Sequence, residues 1–136
     1  MGVVIMNTKS TVEIITEWDI IAARQLGRNE AKAIGFSAVD QAEITTAISE
    51  LARNIYLKAC AGEVTIEHIH EGEKVGIRIT AADKSPGIND LKNVLEDGHS
   101  TSVPSAGLSS VKETMDKVDI QSSAENGTVV IAEKWV

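Results

Sequence analysis

Apolar residues along this chain recur first at every second position, then at every third or fourth, and then at every second again, an order that leaves few folds open. Residues 10–16 alternate, with Val12 and Ile14 opposed to Thr11, Glu13 and Ile15, and predict a first strand at a sheet edge. From Trp18 to Ile34 the period changes. Ile20, Ala23, Gly27, Ala31 and Ile34 share one helical face, and its small residues let the helix approach a neighbour closely. Gly35 is a natural stop, able to take the left-handed conformation that ends helices. Ser37 caps a second helix running to about residue 59, with Asp40 in its electropositive first turn. Ile44, Ile48, Leu51 and Ile55 form the buried stripe of that helix.

The period of two returns at 63–71 and 75–83, joined by the turn Glu71-Gly72-Glu73-Lys74. Val75, Ile77, Ile79 and Ala81 make one face of the later strand apolar. Asn89 or Asp90 caps a short helix to about residue 96, and the aperiodic polar stretch 98–106 reads as a functional loop. Leu108, Val111 and Met115 then recur helically over 107–117, and a hairpin of 118–122 with 128–135 closes around Asn126-Gly127. With helices grouped against mostly antiparallel strands, the economical fold is an α+β two-layer sandwich: a mixed, mostly antiparallel sheet with helices on one face. A chain of 136 residues suits a single domain, 1–136. With only Trp18, Trp135, Tyr56 and Phe36 aromatic, its core is built of Ile, Val, Leu and Ala.

A net charge of −7 argues against a general nucleic-acid binder, which needs a basic field to neutralise phosphates. It leaves room for one nucleotide in a small amide-lined pocket. No apolar run approaches the ~20 residues that span a bilayer, and residues 1–6 lack the basic start of a signal peptide. Cys60 is the single cysteine, which precludes an internal disulfide and points to a reducing cytoplasm.

Glu50 and Asn54 stand one helical turn apart on the rim of the second helix's buried stripe. An acid and an amide so placed can share a magnesium ion or a water, although alone they describe an ordinary solvated helix face. Asp83 ends a strand and leads into Ser85-Pro86-Gly87, where a carboxylate can accept a hydrogen bond from a ligand amine and Gly87 admits a close approach. The plain alternative is an Asp-capped turn. Gly107 opens a helix after the long loop, and its backbone N–H groups suit phosphate oxygens, although no Walker-type motif is present. His68 and His70 share a strand face at metal-ligand spacing without a third ligand, which favours a solvated face.

Taken in order, Glu50-x-x-x-Asn54, Asp83-x-Ser85-x-Gly87, Ala106-Gly107-Leu108 after a loop, and Gly127-Thr128 resemble the Bergerat nucleotide-binding fold. That fold is shared by the gyrase, chaperone, histidine-kinase and mismatch-repair ATPases. The runs Thr16-Glu-Trp-Asp-Ile-Ile-Ala-Ala-Arg-Gln-Leu-Gly-Arg28 and Ile44-Thr-Thr-Ala-Ile-Ser-Glu-Leu-Ala-Arg-Asn-Ile-Tyr56 look like one branch of it, the stressosome switch serine/threonine kinases of the anti-sigma-factor type. The resemblance implies ATP and Mg²⁺ as cofactors, with Asn54 ligating the metal and Glu50 positioning or deprotonating the attacking hydroxyl. It implies Asp83 as acceptor for the adenine amino group, with Gly87 admitting the base and Thr128 supporting that side. The loop from Gly98 to Ala106 would be the lid, and the amides around Gly107, with Ala106 and Leu108 on either side of it, would cradle phosphates. It further implies a serine on STAS-domain antagonist and scaffold proteins as substrate, and a PP2C-type phosphatase as the next partner. Two positions depart from the family pattern. Ser85 replaces the first glycine after the acid, and Val103-Pro-Ser-Ala-Gly-Leu108 replaces a Gly-x-Gly-Ala-Gly-Leu run. Those changes keep a second expectation open: a non-catalytic binding module of the same fold with weakened nucleotide binding.

Overall fold

The computed structural model describes residues 9–58, 61–83, 110–123 and 127–136. Within them the alternating segments become strands of one sheet, and the segments with the helical period become helices against it. The elements run β1 (Lys9–Ile14), α1 (Glu17–Ile34), α2 (Ala38–Lys58), β2 (Gly62–Glu71), β3 (Lys74–Asp83), helical residues 110–114, β4 (Lys117–Ser123) and β5 (Gly127–Trp135). The five strands are ordered β1-β2-β3-β5-β4, with β1 at an edge, and each described pairing is antiparallel. The architecture is the expected α+β arrangement. No helix among the described residues is long and apolar enough to cross a membrane.

Register carries the side-chain alternation across the whole sheet. Val12, Val64, Ala81, Val130 and Ile120 stand abreast in one row, and Ser10, Ile66, Ile79, Ala132 and Val118 in the next. Most of these side chains join Ile44, Ile48, Leu51 and Ile55 of α2 in the buried core. Each large aliphatic side chain contributes about 1.5–3 kcal/mol on burial, so this stripe, more than helix propensity, fixes α2 on the sheet. α1 packs through its small residues Ala23, Gly27 and Ala31. A Cβ on Gly27 would overlap Ile48 Cδ1, so the close approach of α1 to α2 requires glycine there.

Helix ends follow the local signals. Gly35 takes φ 112° and its N–H reaches the carbonyls of Ala31 and Lys32. The Ser37 hydroxyl accepts the Asp40 amide at 3.2 Å. At the start of α1, Asp19 Oδ2 accepts the backbone amides of Ile15 and Thr16 at 2.9 and 2.8 Å. Those two amides hold the Asp19 carboxyl below its ordinary pKa, Thr16 contributing most. On the sheet face away from the helices, Arg78 donates to Glu133 at 2.7 Å and reaches Glu67 at 3.4 Å. The bond to Glu133 is the main cause holding the guanidinium pKa above its usual value.

Two boundaries differ from the sequence reading. The helix expected to reach residue 117 gives way to β4 at Lys117. The Met115 amide still bonds Val111, but the Asp116 amide donates to the Glu133 carbonyl at 2.9 Å. Because the Asp116 carboxylate also accepts the Trp135 amide at 2.8 Å, β5 captures the chain before another helical turn forms. In the last hairpin Ser123 pairs with Gly127, so each strand runs one residue farther toward the turn than the 118–122 and 128–135 read from the sequence, and residues 124–126 lie outside the described residues. Gly127 supplies the positive φ, 79°. The helix expected at 89–96 and the loop at 98–106 lie outside the described residues.

Candidate functional site

Asp83 occupies a position where alternation calls for an apolar side chain. It follows Ile77, Ile79 and Ala81 on the helix-facing side of β3 and stands opposite Gly62 of β2. It is only 8% exposed, as is Thr128 at the start of β5. Asp83 Oδ1 accepts the Thr128 backbone N–H at 3.2 Å. A carboxylate taken from water costs several kcal/mol unless it is hydrogen-bonded, and the Thr128 amide offsets part of that cost while fixing the carboxylate's direction. A buried acid closing an otherwise apolar strand marks a departure from packing logic of the kind found at functional sites.

α2 is brought to this end of the sheet by Gly62. A Cβ there would sit 2.5 Å from the Ala82 carbonyl oxygen, 2.7 Å from Ile55 Cγ2 and 3.0 Å from Asp83 Cα. The Ile55 methyl therefore rests where a side chain would otherwise stand, beside Asp83. Ile48, farther back on α2, meets Gly27 near Ile66 of β2. From Ile48 to Ile55 the helix rises about 10 Å, and from Ile66 to Gly62 the strand covers about 13 Å. α2 thus runs along β2 toward Asp83. Asn54 immediately precedes Ile55, Glu50 lies one turn earlier, and both are half-buried at the margin of the stripe, as their spacing requires.

The structure accordingly places Asn54, Asp83 and Thr128 toward one end of the helix–sheet interface, with Glu50 one turn back along α2. Among them these side chains offer carboxylate, amide and hydroxyl oxygens, which suit a hard cation and amine hydrogens. Among the described residues no three His, Cys, Asp or Glu side chains cluster as a metal site. Gly87, Gly98, Ala106, Gly107 and Leu108 lie outside the described residues, as do Ser85 and residues 103–105.

His68 corrects one expectation. It lies beneath α1, not on a solvated face, with Nε2 2.5 Å from Glu30 Oε1. The shallow cleft of about 200 Å³ beside it, lined by Ala33, Ile34, His68, His70 and Val75, is at the opposite end of the sheet from Asp83. Two residues that shape the helix–sheet geometry were not singled out from the sequence. Gly62 begins a strand, and its meaning depends on the register that puts it opposite Asp83. Lys134 falls on the inward phase of β5, after Val130 and Ala132, where a lysine is out of place; that phase was the available signal. It is 8% exposed, donates to the Thr114 carbonyl at 2.7 Å, and has Glu43 at 3.4 Å and Asp40 at 3.9 Å.

Comparison with known proteins follows the same lines. Residues 16–134 match the family model described as a histidine kinase-like ATPase domain. The chain is 56% identical over 132 residues to the serine/threonine-protein kinase RsbT of Bacillus subtilis (strain 168), an alignment covering 96% of this chain and 99% of that one. Its structure is similar to a chain of the SiaB–SiaC complex from Pseudomonas aeruginosa, with a TM-score of 0.56 and coverage of 95% of this chain and 89% of that one. At 13% identity that likeness shows the fold alone.

Proposed function

Because this chain belongs to the histidine kinase-like ATPase family, among the serine/threonine-protein kinases of the RsbT type, we propose that it phosphorylates a serine on STAS-domain proteins of a stressosome, leaves them, and then activates a PP2C-type phosphatase. The observation that carries this reading is 56% identity to such a kinase over nearly the whole of both chains. The site supports it through the buried Asp83 carboxylate held by the Thr128 amide, with α2 packed beside it on Gly62.

In this reading Asp83 accepts the adenine amino group and Thr128 supports that side of the base. Gly87 admits the ring, Gly98 belongs to the lid, and the segment Ala106-Gly107-Leu108 cradles phosphates. Asn54 holds Mg²⁺ through its amide oxygen; the oxygen donors here fit that ion, which takes one or two protein ligands beside substrate phosphates. When bound, the ion neutralises charge on the phosphoryl oxygens. Glu50 orients the acceptor serine and takes its proton as the serine Oγ bonds the γ-phosphorus and the bond to the ADP oxygen breaks. The phosphoserine then carries about −1.5 to −2 charge units, which weakens its docking on a chain of net charge −7. The kinase acts in the cytoplasm, where ATP is its donor.

The test mixes the protein with Mg-ATP and a STAS-domain acceptor and measures phosphoserine by mass spectrometry for the wild type, Glu50→Ala, Asn54→Ala and Asp83→Asn. Phosphoserine formed by the wild type and lost in the variants supports the kinase. The departures at Ser85 and Pro104 favour a second reading, a non-catalytic binding module of the same fold. Partner binding with no phosphoserine from the wild type would establish that reading and refute the kinase.

A further inference from the structure

We propose that the outer face of α1 is the surface on which the acceptor protein docks, and that the acceptor presents acidic residues around an apolar cleft; this rests on the protein-kinase reading. At 100° per residue, Trp18 points directly away from the buried stripe Ala23, Gly27 and Ala31. Ile21, Arg28 and Lys32 follow on the same side, within roughly 80° of one another and Trp18, and all are exposed. Trp18 is 77% and Ile21 46% exposed, and Ile15, just before the helix, is exposed as well. A solvent-facing indole and isoleucine, with an arginine about 15 Å farther along the same side of the helix, have the composition of interface anchors.

Charge identifies the occupant. The chain has 20 acidic and 13 basic residues, yet Arg28 and Lys32, with Arg24 on their flank, form no ion pair among the described residues. A row of unpaired cations on an acidic protein selects an acidic partner and speeds its encounter. Two copies meeting through this face by a twofold axis would oppose cation to cation.

Position ties the surface to catalysis. Ile14, Gly62 and Asp83 stand abreast on β1, β2 and β3, so the chain leaves β1 about 10 Å from Asp83 and enters α1 directly. α1 and α2 run antiparallel, with Gly27 against Ile48, which sets Ile21 about level with Asn54. An acceptor seated on Trp18 and Ile21 lies at the same end as the candidate nucleotide site, and Arg28 and Lys32 extend its seat along α1 toward the opposite end.

The experiment uses the full chain with the STAS-domain acceptor of the phosphorylation assay. Trp18→Ala and the double variant Arg28→Glu/Lys32→Glu are compared with the wild type and with Arg28→Lys/Lys32→Arg. Acceptor Kd by calorimetry, acceptor KM, ATP Kd and Tm are measured. The expected result is at least a tenfold rise in acceptor Kd and KM for the first two, unchanged ATP Kd and Tm, and near-normal binding by the charge-conserving pair. Unchanged acceptor Kd in both disruptive variants, while the wild type still phosphorylates, overturns the docking surface and leaves the kinase standing. No phosphorylation by the wild type overturns the kinase reading and this one with it. A blue shift of Trp18 fluorescence on phosphatidylglycerol vesicles with acceptor Kd unaffected by the variants, or a dimer in sedimentation lost only in the variants with acceptor Kd unaffected, also overturns it.

Discussion

Gly62→Ala adds one carbon at the point where α2, β2 and Asp83 meet. Gly62 lies within β2 and is not among the residues of positive φ, so the backbone itself tolerates alanine. Restricting the unfolded chain would favour the variant by about 0.5–1 kcal/mol. Packing opposes this. The new Cβ would stand 2.5 Å from the Ala82 carbonyl oxygen, 2.7 Å from Ile55 Cγ2 and 3.0 Å from Asp83 Cα, whereas nonbonded carbon contacts are most favourable at about 3.5–4.0 Å. Two of the three neighbours are backbone and cannot rotate aside, so relief requires β3 or α2 to move by up to about 1 Å. Overpacking of this kind costs about 1–3 kcal/mol. It outweighs the entropic gain and leaves the variant about 1–2 kcal/mol less stable, a fall in Tm of roughly 4–8 °C for a chain of this size. The displaced groups are Asp83 and the α2 turn carrying Asn54, so ATP binding falls about tenfold, equivalent to ~1.4 kcal/mol. Gly76→Ala supplies the control. Its Cβ meets the Lys134 carbonyl oxygen at 2.5 Å and Trp135 Cε3 at 2.8 Å, seven residues along β3 and about 23 Å from Asp83. Thermal melts and titration of a fluorescent ATP analogue should show both variants destabilised and only Gly62→Ala impaired in nucleotide binding. Normal Tm and ATP affinity in Gly62→Ala, or equal loss of ATP binding in both, would refute the role given to this contact.

Lys134→Met keeps most of the aliphatic stem and removes the charged donor to Thr114, so chemical denaturation should show a loss of about 1.5–3 kcal/mol, the range of a hydrogen bond to a charged group; no change would mean that water replaces the contact without penalty. The Asp19 carboxyl is held below its usual 3.8 by the Thr16 and Ile15 amides. Its contribution is therefore complete above the unfolded value and is lost as pH falls through the lower folded one. The stability difference between wild type and Asp19→Ala should stay constant above about pH 5 and shrink below pH 3.8. A difference that instead grows in acid would invert this sign and dismiss the amide contacts as its source.

Secondary structure was legible because burial is written locally. The stripe Ile44, Ile48, Leu51 and Ile55 is buried as its period required, and Gly35 and Ser37 end and begin helices through contacts within a few residues. Glu50, Asn54 and Asp83 were visible for the same reason: a four-residue helical spacing and a charge closing an alternating strand are local patterns. What escaped depends on pairing between distant segments. Nothing around Gly62 announces that Asp83 will face it, and nothing before Asp116 announces that β5 will end the helix there. The Thr16-x-x-Asp19 spacing was a readable helix-start signal, and it went unread beside the stronger apolar period.

The register explains why one end of this fold can work while the other is held. His68, Ile77 and Lys134 stand abreast on β2, β3 and β5. From that row His68 meets Glu30 of α1, and Lys134 approaches Glu43 of α2. Both helices are thereby tied to the sheet by polar pairs at the end remote from Asp83. In the middle rows Ile66, Ile79 and Ala132, then Val64, Ala81 and Val130, supply an apolar core that fixes spacing without directing chemistry. At the far row the tie is steric: Ile55 seats on Gly62, beside the Asp83–Thr128 hydrogen bond. A helix pinned at one end by charge and at the other by a single glycine keeps its acid and amide at the margin of the core. Deleting the pins at Lys134 or His68 should therefore lower stability more than nucleotide affinity, and enlarging Gly62 should lower both.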